Sequence, residues 1–274
     1  MMKMFPEKSV KAISTAVLRV IVLTYFLFGI VLYVRQDAML LFPSNTPFAN
    51  CPELALALQV DMNGTRGYFF QNGTSTKLAV LYHGNGDRAC DRAYYRTAIE
   101  HAGYSWLIVE YTGYAGDGKS PSISSILRDA SQVDMWVRQQ HVTELAIIGE
   151  SIGSGPASYH SSLAPSSSLI LVAPLDTLRL RAGEVYMVYP VGLMLKTDLD
   201  NISWAKTARR VLVIHSTGDR TIPFTHGKHL FDNLPQKNKL FIPLSVVDHN
   251  ETPESLAAQL GIFRFLKNDD VVVF

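Results

Sequence analysis

Residues 149–153 read "GESIG", a serine between two glycines, with the apolar run Leu145 to Ile148 before it and a helix-like segment after it. This is the G-x-S-x-G pattern in the strand–turn–helix setting that a nucleophilic serine needs. A sharp turn holds the hydroxyl out at a strained backbone angle, and only small neighbours leave room for it. The N–H groups that open the following helix face the reacting centre, where they stabilise developing negative charge. An ordinary Gly/Ser turn reads the same in isolation, so the decision depends on what else the chain supplies.

A serine hydroxyl is a weak nucleophile. It needs a base to take its proton and an acid to orient that base. "VLVIHSTGDRTIP" presents Asp219 in a loop after one apolar run, and "LFIPLSVVDHNET" presents His249 after the last. The order Ser, Asp, His is the one that goes with this kind of serine turn. Asp176, after "SLILVA", is the competing acid, and Asp248 adjoins His249 too closely to face it productively. His215 ends an apolar run and supports the acid loop, whereas His226 and His229 fall on a helix as surface or supporting residues. "LYHGNGD" places a glycine-rich turn at His83 to Gly86 after another run. The expected oxyanion donors are the backbone N–H groups of Asn85 and Ile152. No group of His, Cys or carboxylate residues has metal-ligand spacing, and no cofactor is expected.

These residues need a scaffold that brings loop ends together. Six apolar runs ("KLAVLYH", "YSWLIVEY", "ELAIIG", "SLILVA", "VLVIH", "KLFIPLS") alternate with helical patterns, closing with "PESLAAQLGIFRFLK". Such alternation predicts an α/β domain with a mostly parallel sheet covered on both faces, whose sites lie at the C-terminal edge of the strands. Ahead of it, "LALALQVDMNGTRGYFFQNG" alternates around Asn63-Gly64 and predicts a hairpin. The segment Leu175 to Arg210, with its apolar "YMVYPVGLML", is a helix of the fold or a small cap over the site. The chain has 274 residues and 47% hydrophobic content, enough for one sizeable core. Its net charge of +1, with no basic stripe interleaved with aromatics, argues against nucleic-acid binding.

The N-terminus is a separate object. From Val20 to Val34 no residue is charged, and extension back to Ala12 gives a helix of ~34 Å, enough to cross a ~30 Å hydrocarbon core with Arg19 snorkelling. Lys3, Lys8 and Lys11 precede it, which predicts a cytoplasmic N-terminus and an extracytoplasmic domain. A buried core helix and a cleaved signal peptide are the rivals. The run is apolar on all faces, and Gln36-Asp37-Ala38 is a poor cleavage site, so an uncleaved anchor over about 12–34, within an N-terminal unit 1–37 ahead of a catalytic domain 38–274, is the preferred reading. Cys51 and Cys90 are compatible with one disulfide or with two free thiols. Asn63, Asn72, Asn201 and Asn250 each begin a glycosylation sequon, of consequence only in a eukaryotic secretory pathway.

With "LLFPS", "HGNGD", "VEYTGY", "GESIGSG", "HSTGDRTIPFTHGKHLF" and "DHNE", the chain from about Met39 onward resembles the α/β-hydrolase-fold serine hydrolases. Within them it is most similar to the membrane-associated subgroup of animal depalmitoylases and lysophospholipid lipases. The resemblance implies Ser151 as nucleophile, Asp219 as acid and His249 as base. It departs from the subgroup at "GYAGDGKSPS", where Ala115, Asp117 and Lys119 stand at positions usually Gly, Ser and Gly. The expected function is hydrolysis of esters or thioesters of hydrophobic acyl substrates at a membrane. An amidase using the same triad and a catalytically silent membrane-tethered scaffold are the alternatives. Oligomeric state is not legible.

Overall fold

The computed structural model describes residues 7–245 and 248–268. Lys3 lies outside them. The helices are α1 (Glu7–Leu40), α2 (Tyr95–His101), α3 (Ile123–Val137), α4 (Ser154–Leu163), α5 (Leu178–Val185), α6 (Val191–Met194), α7 (Asn201–Ala205), α8 (Phe224–Asp232) and α9 (Leu256–Lys267). The strands are β1 (Leu58–Met62), β2 (Thr65–Phe70), β3 (Lys77–Tyr82), β4 (Ser105–Glu110), β5 (Glu144–Glu150), β6 (Ser168–Val172), β7 (Arg210–Ser216) and β8 (Lys239–Leu244). They form one sheet in the order β1-β2-β4-β3-β5-β6-β7-β8. From β4 to β8 all neighbours are parallel, and β1 and β2 add an antiparallel edge.

Each apolar run of the sequence is one of the strands β3 to β8. They read as continuous rather than alternating because both faces are covered. On one face the core includes Ile126, Val133, Ala157 and Leu230 from α3, α4 and α8. On the other it includes Ala98 and Ile99 from α2 and Ile262, Phe265 and Leu266 from α9. The β1–β2 hairpin turns at Asn63 (φ 57°) and Gly64 (φ 92°), the two left-handed positions that a two-residue hairpin turn requires.

The N-terminal helix is longer than the stretch expected to cross the membrane. It continues without a break to Leu40, a length of ~51 Å. The reason lies in its polar end. Asp37 Oδ1 accepts from the N–H of Ile123, the first residue of α3, and Gln36 bonds both the carbonyl of Met194 and the N–H of Lys196. The residues read as a poor cleavage site are therefore docking contacts. Only 6% of the apolar stretch is buried, which sets the core-helix alternative aside. Among the described residues this is the one helix long and apolar enough to cross a membrane. The cysteines, left open by the sequence, are joined as Cys51–Cys90. Of the sequon asparagines, Asn201 is buried, and its amide donates to Ser154 Oγ and the Leu175 carbonyl, so it is no acceptor site for a glycan.

Candidate active site

Because β3, β5, β7 and β8 are parallel, the loops that leave them emerge at one edge of the sheet. Those loops carry Asn85, Ser151, Asp219 and His249. Ser151 follows β5 and opens a short 3-10 turn, Ser151–Gly153, that runs into α4. Its φ is +54°, a left-handed conformation that a non-glycine residue keeps only when its surroundings hold it. The flanking glycines supply that setting. A Cβ at Gly149 would lie 2.6 Å from Gly153 O, and one at Gly153 would lie 2.4 Å from Tyr82 O.

The serine meets the two residues that chain order named. Ser151 Oγ lies 2.9 Å from His249 Nε2, and His249 Nδ1 lies 2.6 Å from Asp219 Oδ2. All three are buried. A carboxylate can only accept, so Nδ1 carries the proton and Nε2 is free to accept the hydroxyl. Burial alone would raise the carboxyl pKa of Asp219, but bonds from His215 and His249 and from the Ile222 N–H outweigh it and hold it well below the ordinary range. The N–H groups of Thr221 and Ile222 both donate to Asp219 Oδ1 at 2.9 and 2.8 Å. His215 supports this loop, donating from Nε2 to the Ile222 carbonyl at 2.9 Å. Asp248 is exposed and accepts from the N–H of His249 at 2.6 Å, capping the histidine turn rather than facing the ring.

The turn at Asn85 is held from several sides. His83 Nε2 lies 3.2 Å from Glu110 Oε1, and Tyr111 donates to the His83 carbonyl at 2.8 Å. The Asn85 side chain accepts from the N–H of Phe42 at 2.9 Å and donates to the Leu40 carbonyl at 2.6 Å. Its amide thus ties the turn to the end of α1. Gly84 packs so closely that an added Cβ would lie 2.9 Å from Glu150 Oε1 and 3.5 Å from Ser151 Cβ.

Sequence reasoning missed the support beneath the serine. Glu150 is buried and pairs with Arg92 at 2.7 Å, while Tyr94 and Tyr95 donate to its other oxygen at 2.8 and 3.2 Å. The only sequence signal was a charged residue at the second position of an otherwise apolar turn. In the "GYAGDGKSPS" turn Ala115 adopts φ 47°, and the Asp117 carboxylate accepts from the N–H groups of Gly113 and Lys119.

Asp176, the competing acid, is occupied elsewhere. It accepts from His226 Nδ1 and His229 Nδ1, both at 2.7 Å. His226 is buried rather than at the surface, and its Nε2 lies 3.0 Å from Glu184 Oε2. The signal for this cluster was present as two histidines three apart on one helix face.

A Pyrococcus furiosus esterase superposes with a TM-score of 0.64 at 15% identity, covering 83% of this chain and 98% of that one. The chain has the α/β-hydrolase fold. No known family model matches it. An uncharacterized protein of Mycobacterium tuberculosis is 27% identical over 262 residues, 89% of this chain and 92% of that protein. A Danio rerio protein named lysophosphatidylserine lipase ABHD12 is 28% identical over 202 residues, covering 62% of this chain and 52% of its own length. The chain therefore spans about half the length of that animal relative. In this fold the serine turn after β5 and the loops after β7 and β8 carry the residues described above.

Proposed function

We propose that the chain is a membrane-anchored serine hydrolase that cleaves esters or thioesters of hydrophobic acyl groups. Supporting this reading above all is the unbroken path from Ser151 Oγ through His249 to Asp219, at 2.9 and 2.6 Å. The fold and the lipase and esterase relatives support ester hydrolysis in general. As Ser151 attacks the acyl carbonyl carbon, His249 Nε2 takes its proton. Asp219 stabilises the imidazolium that results, and the oxyanion rests against the N–H groups of Asn85 and Ile152. The tetrahedral intermediate collapses, His249 gives the proton to the departing alcohol or thiol, and the acyl group stays on Ser151. Water, activated by the same imidazole, then releases the acid.

The anchor reading places α1 across a bilayer with its N-terminus cytoplasmic. In its support are Lys8 and Lys11 before the apolar run and a Cys51–Cys90 disulfide, which persists in oxidising compartments. Protease treatment of intact cells checks it; a domain protected on the cytoplasmic side contradicts it. The chemistry is tested with a fluorophosphonate probe on the full chain. Wild type is expected to be labelled and to hydrolyse esters, and Ser151→Ala is expected to lose labelling and at least ~10⁴-fold in kcat. A folded wild type that takes no label returns the molecule to the silent scaffold.

A further inference from the structure

The segment from Val185 to Leu195 ("VYMVYPVGLML") carries no charge. It leaves the domain after α5, passes through α6 and lies along α1 rather than over the sheet. Tyr189 stacks on Tyr25 with ring centroids 4.6 Å apart and planes 3° from parallel. Both hydroxyls also bond backbone carbonyls across the contact: Tyr25 Oη donates to the Val188 carbonyl at 2.8 Å, and Tyr189 Oη donates to the Tyr25 carbonyl at 3.0 Å. At the other end, Gln36 holds Met194 and Lys196. The contact thus follows α1 from Tyr25 to Gln36, a distance of ~16 Å.

Tyr25 lies well inside the stretch expected to cross the membrane. A segment bonded to it shares its depth. The outward side of the segment fits that depth, since Met187 is 84% exposed, Val188 73% and Leu193 87%. In water such a patch is costly; in hydrocarbon it is matched to its surroundings. Of the charged residues that border it, Arg179 pairs with Asp198 at 3.3 Å and Arg181 with Glu184 at 3.1 Å, and the Lys196 ammonium lies over the Tyr33 ring of α1 at 5.1 Å.

Between this lip and α1 runs an apolar groove walled by Leu32, Met39 and Leu40 on one side and Ala182, Tyr186 and Leu195 on the other. Its domain end is Leu40, whose carbonyl is held by Asn85, next in the chain to the Gly84 that packs against Ser151. The groove therefore opens at bilayer depth and ends beside the turn proposed to hold the oxyanion.

We infer that this groove takes the acyl chain of a membrane-lipid substrate, entering sideways from the bilayer between α1 and the 185–195 lip. The inference rests on the serine-hydrolase reading and on α1 as the span. The occupant is a single unbranched hydrocarbon chain: the enclosed volume is only about 50 Å³, so the chain lies along the open apolar side of the groove with the membrane helix as one wall. The anchor is then part of the substrate site and sets chain-length preference.

The test uses the full chain in phosphatidylcholine vesicles with p-nitrophenyl acetate and p-nitrophenyl palmitate. Ala182→Trp fills the groove from the lip and Met39→Trp fills it from α1. Each is expected to cut palmitate kcat/KM at least tenfold while leaving acetate within about twofold. Met187→Trp adds the same bulk on the lipid-facing side and is expected to change neither. The inference is overturned if the groove variants lower both esters in parallel, or neither, or if wild type shows no preference for palmitate. If Ala182→Trp fails to fold, seen as loss of a cooperative thermal unfolding transition by circular dichroism, Met39→Trp decides alone. Ser151→Ala separates the two levels: hydrolysis that persists in it defeats the serine-hydrolase reading, whereas its loss together with an unchanged ester ratio in the groove variants defeats only the groove.

Discussion

Two carboxylate–histidine pairs sit at the same edge of this sheet, on the loops that leave the neighbouring strands β6 and β7. Asp219 meets His249 Nδ1 at 2.6 Å, and Asp176 meets His226 Nδ1 at 2.7 Å. At the first nitrogen they are the same. They differ at the second: His249 Nε2 faces the Ser151 hydroxyl at 2.9 Å, while His226 Nε2 faces the Glu184 carboxylate at 3.0 Å. A hydroxyl can donate to a neutral ring, so His249 can act as a base. Two carboxylates only accept, so His226 must donate from both nitrogens and holds its proton. Burial alone would lower the pKa of His226, but Asp176 and Glu184 outweigh it and raise it. An Asp–His pair is therefore no signature of catalysis by itself. The third partner decides between a base and a structural cation.

The largest expected effect separates the two acids. Asp219→Asn should lose about 10⁴-fold in kcat for ester hydrolysis with the fold retained, because the ring then settles in the wrong tautomer. Asp176→Asn should change kcat by no more than a few fold; equal losses in the two variants would erase the distinction. Next is the serine turn. In Gly153→Ala the new Cβ would lie 2.4 Å from Tyr82 O and 2.5 Å from His83 O, both backbone atoms that cannot swing away. The nucleophile must shift, and a displacement of that kind costs about 10²-fold in kcat/KM. The second cluster should answer in stability instead. Asp176→Asn is expected to destabilise by about 1.5–3 kcal/mol in denaturant unfolding, because buried His226 loses a charged hydrogen-bond partner. Loss of activity without loss of stability would move Asp176 into the chemistry.

The smallest effect is a pH dependence. The folded pKa of His226 lies above its unfolded value, so its contribution is fully present below about pH 6.5 and is lost as pH rises through the folded value. Asp176 has the opposite sign. Burial would raise its pKa, but His226 and His229 hold it below the usual value, so its contribution is lost only as pH falls below about 4. The stability gap between wild type and His226→Phe should therefore be widest near pH 5–6 and narrow by pH 9. A gap that widens toward alkaline pH would show that His226 is buried neutral.

How much of this was legible follows from what each feature depends on. The strands β3 to β8 were readable because a strand covered on both faces must be apolar throughout. The hairpin was readable because Asn63-Gly64 is local turn chemistry. The cap segment stayed ambiguous: α5 and α6 are short, and the side chains that place them belong to α1, more than a hundred residues earlier. His226 stayed open between a surface and a supporting residue because helix position alone does not reveal a carboxylate 50 residues away in the chain. Glu150 carried no periodic signal, since its partners Arg92, Tyr94 and Tyr95 come from a distant segment that runs into α2.

The sequence by itself determined which residues stand at the ends of the strands and in what order, since burial on both faces writes each strand as an apolar run and parallel strands share one edge. It also determined the turn at Ser151, because only glycine fits the close approaches on either side. The tertiary structure alone decided that Asp176 meets His226, 50 residues away in the chain, and that the two cysteines meet. It alone decided that the N-terminal helix runs on to Leu40 and docks against the lip at 185–195. Those outcomes depend on where distant loops end in space, and loop residues carry no periodicity from which that position can be read.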